Sequence, residues 1–131
     1  MMVVSMPLGA NMASDGAAPL LDRQLIEEIR RIERATGRND VLSGFVRKLE
    51  GNLAGFGASF SDYVARGDTT GAIRAAHTLK GTCKQLGALA LGELFADIEH
   101  SAKAGDYAEA KRKFESGARL IAESLEALKH A

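Results

Sequence analysis

The sequence has little that breaks helices and little that builds disulfides, metal sites or nucleic-acid contacts. Proline occurs only at Pro7 and Pro19, so the chain beyond about residue 20 lacks the residue that most disrupts helices. The single cysteine, Cys83, excludes an intramolecular disulfide and a multi-thiolate metal site. Basic and acidic residues both number 17, and this zero net charge carries no basic footprint of nucleic-acid binding.

Long apolar runs and targeting signals are also missing. No run approaches the roughly 18 apolar residues that span a bilayer, and the opening residues lack the charged and apolar regions of a secretory signal. These absences predict a cytoplasmic protein without a membrane segment. Residues 1–20, rich in small side chains, are predicted to form a flexible tail. Residues 21–131 are predicted to form one domain with one core.

Apolar residues recur at helical spacing from residue 22 onward. A short first helix is predicted with an apolar face formed by Leu25, Ile29 and Ile32. A long second helix follows, which Asn39 or Asp40 is expected to cap. Its apolar stripe consists of Leu42, Phe45, Leu49, Leu53, Phe56, Phe60 and Tyr63. Gly51, Gly55 and Gly57 interrupt that stripe and predict a bend or a close helix contact, with a break into two helices as the alternative.

Three more helices are predicted in the remaining sequence. Asp68 is expected to cap a helix over about residues 69–86, which Gly87 closes. Another covers about residues 90–103, and a continuous last helix covers residues 106–128. Because the connections are short, successive long helices should pack antiparallel. The predicted fold is all-α: an antiparallel up-and-down four-helix bundle with a short extra N-terminal helix, in a monomeric protein.

The segment AHTLKGTCKQLGA, residues 76–88, places a histidine on the solvent face of the third helix. At about 100° per residue, Leu79 and Cys83 lie on the side opposite His77 and form a core stripe. Gly81, one turn beyond His77, leaves room beside the imidazole for a charged group. Three bases near that face are expected to support an anion: Arg74, Lys80 and Lys84. An ordinary exposed histidine is the alternative.

An accessible imidazole surrounded by bases is suited to phosphoryl chemistry. Neutral imidazole is nucleophilic near neutral pH, and its attack on a phosphoryl group gives a phosphohistidine. The sequence has neither a P-loop nor a kinase-type glycine loop, and it has no clustered carboxylates to hold magnesium. A partner is therefore expected to supply both the phosphoryl donor and the metal.

The same segment resembles the signature of histidine-containing phosphotransfer (HPt) domains, a pattern close to A-H-x-L-K-G-x-x-x-x-L-G-A. The downstream LGELFADIEHSAKAGD, with Glu99, is similar to the next helix of that family. The resemblance extends from about Asp22 to the end of the chain. It implies a four-helix bundle that exposes its active histidine midway along one helix.

The resemblance also implies roles for individual residues. His77 would accept the phosphoryl group, Lys80 would support its charge, and Gly81 would give it access. Gln85 stands where such proteins often have a small polar residue and is expected to orient the site. Ile73, predicted to be exposed beside His77, is expected to join an apolar docking patch, with a singly exposed apolar residue as the alternative.

The implied function is that of a phosphorelay intermediary rather than an enzyme. The phosphoryl group on His77 would pass to or from an aspartate on a response-regulator receiver domain, which supplies magnesium, so the chain needs no cofactor of its own. A hybrid or histidine kinase is the other expected partner. The alternatives are a phosphoacceptor domain detached from a larger kinase and a helical interaction module with an idle His77. The end of the chain at Ala131, just past a predicted helix, favours a free protein.

Overall fold

The computed structural model describes residues 18–131, which are helical throughout apart from short connections and contain no strand. Most of the predicted flexible tail, residues 1–17, lies outside the described residues. The helices are α1 (Arg23–Thr36), α2 (Val41–Ala65), α3 (Thr69–Gln85), α4 (Leu89–Lys103), α5 (Tyr107–Ser116) and α6 (Ala118–Lys129). In this part of the chain, none of the helices combines the length and the apolar character that a membrane crossing requires.

The helices α3 and α4 are antiparallel, as their short connection favours. Near the end of α3, Cys83 faces Gly92 near the start of α4. In the middle of α3, His77 reaches Glu99 near the end of α4. The helices α2, α3 and α4 occupy three positions of the bundle, α5 and α6 share the fourth, and α1 packs against α2. The predicted all-α helical-bundle fold is confirmed.

An aromatic cluster at the centre of the core joins three of these positions. The ring centroid of Phe56 lies 5.2 Å from that of Phe95 and 4.9 Å from that of Phe114. Such offset and edge-on pairs contribute beyond the area they bury. Cys83 lies in the same core, as predicted, and burial raises the pKa of its thiol to about 12. The thiol is therefore protonated and unreactive at neutral pH.

The helix α2 is unbroken over 25 residues, so the alternative of two helices is wrong. Gly57 makes the predicted close helix contact, because a Cβ there would lie 3.1 Å from the ring of Phe114. Gly51 and Gly55 make no such contact, since a Cβ at either position would have no neighbouring atom within 4 Å.

The sequence predicted that Asn39 or Asp40 caps α2, but neither side chain does so. Asp40 occupies the N-cap position, but its carboxylate makes no capping hydrogen bond. Instead, Glu33 of α1 accepts from the amides of Val41 and Leu42 at 2.9 and 3.0 Å. This arrangement turns Glu33 inward and leaves Ile32, predicted to be apolar core, 56% exposed. The buried face of α1 is therefore rotated away from the predicted one.

Two other expectations are wrong, one about the core and one about the last helix. Phe45 is 50% exposed, because the buried stripe of α2 passes through Val46 instead. The last helix is divided at Gly117, where a Cβ would lie 2.5 Å from the side chain of Leu94 on α4. Gly117, where α4 approaches closely, is also the residue that separates α5 from α6.

The residues just before α1 hold the start of α4. The carbonyls of Leu20 and Pro19 each accept at 3.1 Å, from the amides of Leu89 and Ala90 respectively. The amide of Asp22 donates to the carbonyl of Gly87 at 2.7 Å. These backbone carbonyls satisfy amides that have no partner within α4. Residues 19–22 therefore help to position the helix that carries Glu99.

We expect Gly51→Ala to stabilise the fold and Gly71→Ala to destabilise it. Alanine at Gly51 meets open space in a helix interior and should add about 1 kcal/mol to the free energy of unfolding. A Cβ at Gly71 would lie 2.5 Å from the ring of Tyr63 and 2.7 Å from the carboxylate of Asp68, the predicted cap of α3. Urea unfolding followed by circular dichroism measures both changes. Equal stability of the two variants would contradict this account of the glycines.

Candidate functional site

His77 lies at the middle of α3 with its side chain 62% exposed, as predicted. The neighbouring positions Ala76, Leu79 and Cys83 are buried and fix this face of the helix toward solvent. One turn beyond His77, Gly81 has an ordinary helical backbone, and a Cβ there would meet no atom within 4 Å. Neither internal packing nor backbone conformation therefore requires glycine at this position.

A buried carboxylate on α4 organises the site. Glu99 has a side chain that is only 5% exposed, and it receives donors from two helices. Its Oε2 lies 2.9 Å from Nδ1 of His77 and 3.2 Å from Nζ of Lys103. Its Oε1 lies 2.8 Å from Nζ of Lys80. Both oxygens of a carboxylate that is expensive to bury are thus paired.

These contacts keep Glu99 ionised. Burial opposes ionisation, but hydrogen bonds from Lys80, His77 and Lys103 outweigh it and lower the pKa of the carboxyl from its ordinary value of 4.5 to about 2. An ionised carboxylate can only accept, so the hydrogen in its contact with His77 belongs to Nδ1. In a neutral ring, Nε2 then carries the free lone pair.

The predicted supporting residues lie on two different sides of His77. Lys80 turns toward α4 and is bound to Glu99, while the stem of Lys84 lies over Gly92 of the same helix. Arg74 turns toward α2 and lines a groove of about 540 Å³ between α2 and α3. Gln85 lies on that side as well, beside Phe45 and Lys48. The bases therefore flank the histidine instead of forming one continuous patch.

Ile73 is the predicted site residue whose environment differs most from expectation. It was predicted to be exposed beside His77, but it is partly buried and packs against the core. At about 100° per residue, Ile73 lies on the same side of α3 as Lys80, which contacts Glu99 of α4. Only the remainder of Ile73 is accessible to a partner.

Glu99 was named only as part of the segment that is similar to the next helix of the family, and no role was predicted for Lys103. A signal for Glu99 exists in the sequence, because at about 100° per residue it lies only about 40° from Phe95, inside the apolar stripe of α4. A carboxylate in such a stripe needs partners. Lys103 stands four residues further on, where an ion pair within the helix is favourable. Residues 18–131 contain no group of three or more His, Cys, Asp or Glu side chains arranged to hold a metal ion.

Comparison with family models identifies the family of this chain. The model described as the Hpt domain matches residues 24–131, which is most of the chain and includes every residue of the site. Comparisons with curated proteins and with solved structures found no match.

The lowered pKa of Glu99 predicts how its contribution to stability changes with pH. Because the folded pKa of about 2 lies below the ordinary 4.5, the ion pairs stabilise the fold fully above pH 4.5, and this stabilisation is lost as pH falls through about 2. Glu99→Gln should therefore be less stable than wild type at neutral pH, by about 1–3 kcal/mol. The difference should shrink as the pH is lowered.

Urea unfolding of both proteins across this pH range provides the measurement. The matched control is Glu93→Gln, which removes an exposed carboxylate of α4 that forms no salt bridge within residues 18–131. The control should follow wild type at every pH. A gap between wild type and Glu99→Gln that stays constant with pH would show that ionised Glu99 is not what stabilises the site.

Proposed function

The chain belongs to the Hpt domain family, the phosphocarrier modules of phosphorelays, and we propose that it carries a phosphoryl group on His77 between receiver-domain aspartates. The observation that supports this most directly is the hydrogen bond from Nδ1 of an exposed His77 to buried, ionised Glu99. It orients the ring and leaves the lone pair on Nε2. That lone pair allows Nε2 to act as the nucleophile. No comparable arrangement surrounds His100 or His130, since neither contacts a buried carboxylate in the described part of the chain.

The proposed transfer step uses this geometry. Nε2 of His77 attacks the phosphorus of the receiver's aspartyl phosphate, the P–Nε2 bond forms, and the P–O bond to the aspartate breaks. The aspartate leaves as a carboxylate, and the Nδ1 proton remains on the ring. Glu99 compensates the positive charge that develops there, which is the electrostatic role of a preorganised group. The reverse sequence of bond changes returns the phosphoryl group to a receiver.

The other predicted residues take supporting parts in this proposal. Lys80 holds Glu99 ionised and adds positive charge beside the ring. Gly81 leaves open space for the phosphoryl group, since no packing contact within residues 18–131 requires glycine there. Arg74 and Lys84, with no salt bridge within residues 18–131, offer charge to the acidic pocket of a receiver, and Gln85 borders the same face.

The family implies the partners, which would supply the phosphoryl donor and the metal. A receiver domain supplies the magnesium and the aspartate, and a hybrid or histidine kinase supplies phosphate to the relay. The exposed part of Ile73 adds a small apolar area to the docking face. We propose a monomer that acts in the cytoplasm, where both kinds of partner domain are found.

Transfer of label from a phosphorylated receiver domain tests the proposal. Wild type should acquire a base-stable, acid-labile phosphoryl group, and His77→Ala should acquire none. His100→Ala, which removes another exposed histidine, serves as the matched control and should label like wild type. Absence of label on folded wild type, tested with a panel of receivers and kinases, would favour the interaction module. Label on His77→Ala would place the phosphoryl group elsewhere.

Replacement of Glu99 should slow the transfer without abolishing it. Glu99→Gln keeps a hydrogen-bond acceptor for Nδ1 but loses the charge that compensates the ring. We expect a rate about 10- to 100-fold lower, as removal of a charge-assisted hydrogen bond would give. Quench-flow transfer from a phosphorylated receiver measures the rate, with Glu93→Gln as the control. An unchanged rate would remove Glu99 from the mechanism and leave His77 as a simple exposed acceptor.

A further inference from the structure

We propose that Lys103 is a second phosphoryl-binding residue, held by Glu99 until His77 is phosphorylated and then transferred to the phosphoryl oxygens. This inference rests on the proposed function and extends it to a residue of α4. In the unphosphorylated site, Lys103 and His77 share one carboxylate oxygen, with contacts of 3.2 and 2.9 Å to Oε2 of Glu99. The ammonium is therefore held at the same oxygen that binds the reacting ring.

The two lysines bound to Glu99 differ in their freedom to move. Lys80 is 26% exposed and makes the shorter contact, 2.8 Å to Oε1. Lys103 is 61% exposed and makes the longer one. When a phosphoryl group arrives, the exposed Lys103 can rotate away while Lys80 and Nδ1 of His77 remain on Glu99. The buried carboxylate then still has a partner on each oxygen, which avoids the cost of an unpaired buried charge.

Charge favours this transfer. Before phosphorylation, two ammonium groups surround one carboxylate, so the site has an excess of positive charge. A phosphoryl group brings about two negative charges, and the ring keeps its Nδ1 proton and becomes cationic. The two lysines and the ring then balance Glu99 and the phosphoryl group. Without Lys103 the same site would carry excess negative charge in the phosphorylated state.

Phosphoramidate, a small donor that needs no partner protein, provides the test. Its P–N bond breaks, ammonia leaves, and the P–Nε2 bond to His77 forms. We compare wild type with Lys103→Gln, Lys103→Arg and the control Lys111→Gln, which removes an exposed lysine of α5 that forms no salt bridge within residues 18–131. The readouts are the phosphorylation rate, its dependence on ionic strength, and the ³¹P chemical shift of the phosphohistidine.

Lys103→Gln should be phosphorylated about fivefold more slowly, the effect of one partly exposed ion pair. Its rate should depend less on salt, and its ³¹P shift should differ from that of wild type. Lys103→Arg should restore most of the rate, and Lys111→Gln should match wild type throughout. Restoration by arginine and a change in ³¹P shift report contact with the phosphoryl group, which a purely structural lysine would not produce.

The results that would overturn the role of Lys103 can be distinguished from those that would overturn the proposed function. Wild type labelled at His77, with Lys103→Gln equal to Lys111→Gln in rate, salt dependence and ³¹P shift, overturns the role of Lys103 and leaves the proposed function standing. Slow phosphorylation of Lys103→Gln that arginine does not restore also overturns it. Wild type that takes no label at His77 overturns both the inference and the proposed function.

Discussion

A carboxylate buried between two packed helices stays ionised only if donors pair with its oxygens. Glu99 meets this condition through Lys80 and His77 from α3 and Lys103 from its own helix. The site depends on this one interaction, because it orients the imidazole, selects the protonated nitrogen and collects positive charge beside it. A surface histidine without Glu99 would be exposed but neither oriented nor compensated.

The fold serves that interaction by fixing the register of α3 against α4. Gly92 lets the stem of Lys84 pass close to α4, and the turn through Gly87, with φ of +83°, reverses the chain between the two helices. Backbone carbonyls from residues 19–22 hold the start of α4 and the turn before it. The aromatic cluster around Phe56 ties α2 and α5 to α4 through Phe95, one turn before Glu99. The position of Glu99 therefore depends on contacts along most of the chain.

The exposed and buried faces of α3 could be predicted from the sequence, whereas contacts that depend on the register between two helices could not. Periodicity within α3 placed His77 toward solvent and Cys83 in the core, because both follow from one helical wheel. The contact between His77 and Glu99 joins residues 22 positions apart, and it requires the register between two helices. The same limit explains Glu33, whose role as a cap depends on where α2 begins relative to α1. A family resemblance supplied the role of His77 but not the bonds that support it.

The most direct test of this account is the identity of the ring nitrogen that carries hydrogen and the one that carries phosphorus. In protein labelled with ¹⁵N-histidine, neutral His77 should show a protonated Nδ1 and an unprotonated Nε2, and after phosphorylation the ³¹P coupling should appear on Nε2. These results would establish that Glu99 fixes the nucleophile. A proton on Nε2 in the neutral ring, or phosphorus bonded to Nδ1, would contradict the central role assigned to the bond between His77 and Glu99.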